Sequence, residues 1–365
     1  MPEKRKHASP LFGTCAVALL ALLVAQTAFM PAARAQDRSR AAPATASATS
    51  AATPAEHAQL RQIYEPSAVQ QLPDGRLLVV EDEAKRSFSV LRINADNTLL
   101  EDAAATQALR QSIRGELSDL EALAQDAKGR FYAATSHSEV KANQGGGRRA
   151  QRERLVRFAI SNNRIQEMRD GPNLKEALQQ SAVVQQAVQS QAGGPADFSR
   201  LNLEGMAYNP QSKQLLLGLR EPQVKAGSKV LSLILSINNP DALFDSGAAP
   251  EFGEVFAFDL KGSGIRSLAY HAPSKTYLIT NESFKTESDK PTSQLWLWDG
   301  RAQSAPRKVH LPEIDALKNA EAVTVAQIRG KPHLLVLGDN GSSKKQRGAS
   351  YFIIDASRIL PPASR

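Results

Sequence analysis

Hydrophobic and polar positions along this chain fall into one recurring arrangement. A short apolar run opens on a polar residue, a polar turn follows, and a second apolar run closes on another polar residue. LNLEGMAYNPQSKQLLLGLR (201–220) carries it most plainly. It recurs in LSDLEALAQDAKGRFYAATSH (117–137), GIRSLAYHAPSKTYLITNE (264–282) and AEAVTVAQIRGKPHLLVLGD (320–339), and more loosely in PSAVQQLPDGRLLVVED (66–82). Short apolar runs bounded by turn signals such as Pro73-Asp74-Gly75 predict buried strands. Further strands are predicted at 87–93, 155–160, 230–235, 254–258, 295–298 and 351–354, so each unit has room for four. With Ser67, Glu121, Glu204, Arg266 and Glu321 as equivalent positions, the intervals are 54, 83, 62 and 55 residues. Repeated units that cannot bury their own faces stack on one another, and a radial arrangement leaves few open edges. The expected fold is therefore all-β: a β-propeller of five blades, with room for a degenerate sixth in the long third unit. A β-sandwich is the alternative, but it leaves the repetition unexplained. The strand near Tyr64 is expected to complete the sheet of the last unit.

Two stretches depart from strand patterning. Residues 103–113 are Ala-rich and helix-compatible. Residues 172–191 carry Leu174, Ala177, Leu178, Ala182, Val183 and Val184 among glutamines, with no Gly or Pro after Pro172, and predict a helical insertion.

At 365 residues and 42% hydrophobic content, a single propeller domain over 58–365 is the expected organisation. Residues 1–35 read as a signal peptide: a Lys4-Arg5-Lys6 head, an apolar run over 11–30, and Ala33-Arg34-Ala35 before a cut after Ala35. This implies a periplasmic or secreted protein with no membrane insertion after cleavage. A retained anchor is the competing reading, against which Gly13, Thr14, Gln26 and Thr27 interrupt the run. Cys15, the only cysteine, lies in that leader behind Gly13-Thr14, which speaks against lipid attachment; the mature chain then has neither thiol nor disulfide. Residues 36–57 form a flexible Ala/Ser/Thr/Pro linker. The formal charge is +8, and the leader's net +3 leaves +5 spread among many acidic residues, which argues against nucleic acid as a partner.

The polar residues that bracket each hairpin are the candidate chemistry. They pair as Ser67 with Asp82, Glu121 with His137, Glu204 with Arg220, Arg266 with Glu282, and Glu321 with Asp339, at separations of 15, 16, 16, 16 and 18 residues. In an antiparallel hairpin the start of one strand lies beside the end of the other, so all ten are expected on one face near the axis. Glu65, two residues before Ser67, is expected to point the same way. The following loops are basic: Lys85 and Arg86; Lys141, Arg148, Arg149 and Arg152; Lys225 and Lys229; Lys285 and Lys290; Lys344, Lys345 and Arg347. Carboxylates crowded around an axis need neutralising. Arg220 and Arg266 can do this internally, and Ca²⁺ can do it on Glu121, Glu204, Glu321 and Asp339, since hard cations take oxygen ligands. The basic rim, with Arg148, Arg149 and Lys344 foremost, then suits a small anionic ligand bearing phosphate or carboxylate. The competing reading makes the glutamates partners of neighbouring backbone or of the two arginines, and the loop lysines merely solvated. His137 reads as general base or ligand, or equally as a structural imidazole bonded to Glu121. Gly145 to Gly147 lack the strand and helix of a phosphate loop, and no GxSxG, HExxH or Walker sequence occurs.

DLEALA (119–124), TSHS (135–138), LEGMA with LLLGLREP (203–222), GIRSLAY (264–270) and LWLWDG (295–300) resemble a family of secreted bacterial proteins defined by domain of unknown function 3616. The resemblance spans nearly all of the mature chain and implies a β-propeller. More distantly it is similar to propellers described as esterase-like or phytase-like, in which acidic residues around the channel hold Ca²⁺ and basic residues meet phosphate. That similarity implies a type of site and carries over no catalytic residue. The expected function is an exported propeller binding a small anionic ligand on one channel face. As a metal-assisted phosphoester hydrolase it would use His137, Arg220 and Arg266 on substrate. The alternatives are a non-catalytic ligand-binding or protein-interaction propeller of the cell envelope, and an envelope scaffold whose tether and helical insertion capture a protein partner.

Overall fold

The computed structural model describes residues 57–283 and 291–362. The leader, the linker up to residue 56, Lys285 and Lys290 lie outside the described residues. After β1 (Ala58–Gln59), the first sheet is β2 (Pro66–Gln71), β3 (Leu77–Glu81), β4 (Phe88–Ile93) and β5 (Leu99–Glu101), followed by α1 (Ala103–Arg110). The second sheet is β6 (Leu120–Gln125), β7 (Phe131–Thr135), β8 (Leu155–Ser161) and β9 (Arg164–Asp170), followed by α2 (Leu174–Gln180) and α3 (Ala182–Ala192). The third sheet holds β10 (Asn202–Asn209), β11 (Gln214–Glu221), β12 (Val224–Ala226) and β13 (Lys229–Ile237), then, after α4 (Pro240–Asp245), β14 (Phe252–Phe258). The fourth is β15 (Ile265–His271), β16 (Thr276–Ser283), β17 (Thr292–Trp298) and β18 (Arg307–Val309), followed by α5 (Pro312–Ala316). The fifth is β19 (Ala320–Ile328), β20 (Lys331–Gly338) and β21 (Ser350–Asp355).

The all-β expectation holds: every sheet is antiparallel, and four of the five have four strands. In the third sheet β14 pairs with β13, and β12 adds an arm to the same strand. The fourth strand of the last sheet comes from the other end of the described chain, since β1 pairs with β21 through Ala58 with Tyr351 and Gln59 with Ser350. The completing strand is thus Ala58–Gln59 rather than the segment at Tyr64. Leu60 to Tyr64 instead run along the same sheet, with Leu60 N–H donating to the Ala349 carbonyl and Ala349 N–H to that of Ile63.

The sheets pack face to face in sequence order. Innermost strand β2 lies against β6, β6 against β10, β10 against β15, β15 against β19, and β19 against β2. The apolar core is correspondingly divided into five clusters, each between two sheets. In β3, Leu78 and Val80 face the second sheet while Leu77 and Val79 face the fifth. A strand buried on both faces has no polar side to show, so Leu77 to Val80 read as an unbroken apolar run.

The helical insertion is two helices, not one. Ser181 sits between them in an extended conformation, and its hydroxyl accepts from Val184 N–H at 3.3 Å, capping α3. Serine's local hydrogen bond competes with helix continuation, so the break falls there although the stretch contains neither Gly nor Pro. Leu174, Leu178, Val184 and Val188 are fully buried in the cluster between the second and third sheets. No helix among the described residues is long and apolar enough to cross a membrane.

Candidate functional site

Each innermost hairpin slips register by one residue at the same point. Pro66 pairs with Glu81 and Ala68 with Val80; Leu120 with Thr135 and Ala122 with Ala134; Leu203 with Leu219 and Gly205 with Gly218. Ile265 pairs with Asn281 and Ser267 with Thr280; Ala320 with Gly338 and Ala322 with Leu337. The extra residues are Ser67, Glu121, Glu204, Arg266 and Glu321. A β-bulge leaves one residue out of the ladder and re-aims its side chain, so five repeated bulges turn five polar side chains to one place.

That place is a cavity of about 290 Å³, lined by all five bulge residues. From the ends of the second strands come Asp82, Arg220 and Asp339. Glu65, Asp119 and Asn202, each two residues before a bulge, complete the wall, with Ser138, Lys141 and Arg152 from the loop between β7 and β8. Seven carboxylates thus meet four basic side chains. A larger groove of about 680 Å³ between α2 and residues 243–252 has only Asp170 and Glu176 as charged lining and offers no comparable chemistry.

One side of the cavity is neutralised internally. Arg266 donates through Nε and Nη2 to Glu282 Oε2 at 3.1 and 2.8 Å, and through Nη1 to Glu204 Oε2 at 3.1 Å and towards Glu321 Oε1 at 2.7 Å. Glu204 Oε1 also accepts from Arg220 Nη1 at 2.7 Å and Asn202 Nδ2 at 3.0 Å. Arg220 remains 41% exposed, so the rest of its guanidinium faces the opening. Burial pushes the Glu321 carboxyl well up, and Arg266 pulls against that.

The other side is carboxylate-rich. Asp82, Asp119 and Glu121 present oxygens that all lie within 4.8 Å of one another. Burial, then Glu65 and Asp119, push the Asp82 carboxyl up to about 8. Burial and then Glu204 and Asp119 raise Glu121 well above the usual carboxylate range. Asp339 is pushed up to about 6 by burial and then by Glu65. On this side Arg152 donates to Asp119 Oδ2 and, through Nη2, to Ser138 Oγ at 2.7 Å. Ser136 Oγ donates to the same Asp119 oxygen. Donors gathered on Oδ2 fix the orientation of this carboxylate.

Several expected site residues stand elsewhere. The register corrects the second hairpin by one residue. The position one beyond the bulge partner, held by Asp82, Arg220, Glu282 and Asp339 in the other sheets, is Ser136 and not His137. A one-residue slip reverses the face a side chain points to, and His137 is fully buried away from the cavity wall. Its Nδ1 lies 2.8 Å from the Thr135 carbonyl, not on Glu121, and burial lowers its imidazole to about 4. Arg148 is held by Glu153 at 2.7 and 2.6 Å and by Glu176 at 3.0 Å. Neither Arg148, Arg149 nor Lys344 lines the cavity, and of the loop cations Lys141 and Arg152 do. Of the four carboxylates expected to share a cation, Glu121 belongs to the close trio, Glu204 and Glu321 are held by Arg266, and Asp339 stands on the wall. Asp119 and Asn202 also line the cavity, and the offset read for Glu65, applied to every unit, points to both.

No curated protein matches the chain in sequence. In structure it is similar to a calcium form of the Trichoderma reesei carbohydrate-active enzyme of family AA12, at 12% identity over 82% of this chain and 95% of that one, with a TM-score of 0.40. It is also similar to an exo-1,5-alpha-L-arabinanase from a bovine ruminal metagenomic library, at 8% identity over 82% and 93% of the two chains, with a TM-score of 0.40. The family model described as Protein of unknown function (DUF3616) matches residues 116–355, about two thirds of the sequence, and the chain belongs to that family.

Proposed function

We propose that the five sheets are the blades of a closed five-bladed propeller whose cavity binds a divalent cation, and through it a small anionic ligand. The cyclic contact order of the innermost strands and the β1–β21 pairing support the ring. The cation reading is carried by one observation, the convergence of Asp82, Asp119 and Glu121 oxygens within 4.8 Å. Two oxygens on one Ca²⁺ at ~2.3–2.6 Å each can stand at most ~5 Å apart, and an all-oxygen donor set suits that ion. Three carboxylates more than basic groups around a 290 Å³ cavity favour a cation over a bare anion. The ion would offset that excess, and Arg220 and Lys141 at the opening would then meet a phosphate or carboxylate. The leader supports an exported protein, where such an ion is abundant.

Calcium titration by calorimetry and melting temperature tests the cation site. Calcium at about 100 times its Kd would stabilise the folded protein by about 2.7 kcal/mol. Asp119→Asn should abolish the shift without unfolding the chain, whereas equal calcium and chelator melting curves for the wild type would end the reading. Metal-assisted phosphoester hydrolysis is the catalytic extension, supported by the exposed Arg220 guanidinium on the same cavity as the trio. Calcium-dependent release of p-nitrophenol from p-nitrophenyl phosphate, lost in Arg220→Met, would carry it. Calcium binding without turnover would leave a binding propeller.

A further inference from the structure

We infer that the first turn of α2 is a latch on the cavity loop, in which Lys175 and Glu153 are positioning residues for the cation site. The inference rests on the cation reading above. The loop from Ser136 to Glu153 supplies Ser138, Lys141 and Arg152 to the cavity, and Arg152 holds the Asp119 carboxylate. Asn173, which caps α2, and Lys175 and Glu176 in its first turn meet it. Asn173 Nδ2 donates to Glu153 Oε2 at 2.8 Å, and Glu176 Oε1 accepts from Arg148 Nη2 at 3.0 Å. Lys175 Nζ lies 3.9 Å from both Glu153 Oε1 and Glu139 Oε1.

The latch is separable from the packing of the helix. Leu174 and Leu178 are fully buried in the sheet core and seat α2 there. Lys175 is 6% exposed and its ammonium makes no hydrogen bond. A charge held this dry is retained through its carboxylates, and both belong to the loop. Glu153 follows Arg152 directly, so gripping Glu153 fixes the backbone that carries Arg152. His137 works at the base of the same loop: its N–H donates to the Arg152 carbonyl at 2.8 Å. Its ring Nε2 is buried without a partner, so the imidazole contributes geometry to the loop and not chemistry to the cavity. The helical insertion, outside the repeat pattern, thus acts on the ligand site.

The test is Lys175→Met in the full chain, read by calcium calorimetry and by amide hydrogen exchange over residues 138–152. Loss of an outer-shell partner weakens metal binding about 10–100-fold. We expect a calcium Kd raised about tenfold, faster exchange confined to 138–152, and both restored by Lys175→Arg. An unchanged Kd in Lys175→Met beside a wild type that binds calcium overturns the latch. A wild type that ignores calcium overturns the cation reading instead, and unchanged loop exchange in Lys175→Met then overturns the latch separately. Should Lys175→Met not fold, the exposed Glu176→Ala, which removes the acceptor of the Arg148 contact, is expected to shift Kd and exchange in the same direction by less. No change in either overturns the latch.

Discussion

Arg266 is where a single substitution should do most damage, and the structure bounds how much. Its guanidinium serves Glu204, Glu282 and Glu321, and all four side chains are less than 10% exposed. In Arg266→Met, Glu204 keeps Arg220 and Asn202, whereas Glu282 and Glu321 lose their side-chain partner among the described residues. A buried carboxylate without a partner takes up a proton. Against an ordinary glutamate near 4.3 that costs about 3.7 kcal/mol at pH 7 and about 1 kcal/mol at pH 5. Two such groups, one of them already raised by burial, place the loss at about 3–5 kcal/mol at pH 7 and about 1–2 kcal/mol at pH 5. Urea denaturation at both pH values measures it, with Trp296 and Trp298 between the third and fourth sheets as the fluorescent reporters. A loss below about 1 kcal/mol at pH 7 would refute the claim that Arg266 neutralises the cavity. So would a loss that fails to shrink at pH 5.

The raised carboxyls of Asp339, near 6, and Asp82, near 8, set a pH dependence for the calcium-free wild type. Between the unfolded and folded values the native state binds more protons, so stability falls as pH rises through that window. The urea midpoint should be higher at pH 5.5 than at pH 8, and saturating calcium should flatten the difference. Gly264→Ala would place a Cβ 2.0 Å from the Arg220 carbonyl oxygen. Overpacking of this kind costs about 1–3 kcal/mol and should displace Arg220, weakening anion binding, which phosphate titration in calcium would detect. Leu178→Ala should lower stability by about 2–5 kcal/mol, because the insertion is part of the core; a loss under about 0.5 kcal/mol would make it an appendage.

Local patterning made the scaffold legible. The unbroken run Leu77 to Val80 announces a strand buried on both faces, and the repeated hairpin with its polar ends announces both the sheets and the residues of the cavity. Family membership was legible too, since DLEALA and LLLGLREP are contiguous strings. What composition and spacing could not settle was register. Whether Ser136 or His137 faces inward turns on one bulge at Glu121, and a bulge is decided by how the hairpin packs against its neighbours. That Arg220 and Arg266 neutralise glutamates was legible, but which carboxylates each one takes was not. Arg266 draws Glu204 and Glu321 from two other sheets, while Asp119 and Asp82, far apart in sequence, converge with Glu121 because the innermost strands lie side by side. The chain alone fixes which side chains stand at strand ends. Packing of the sheets decides which carboxylates Arg266 draws together and which gather at Asp82, Asp119 and Glu121.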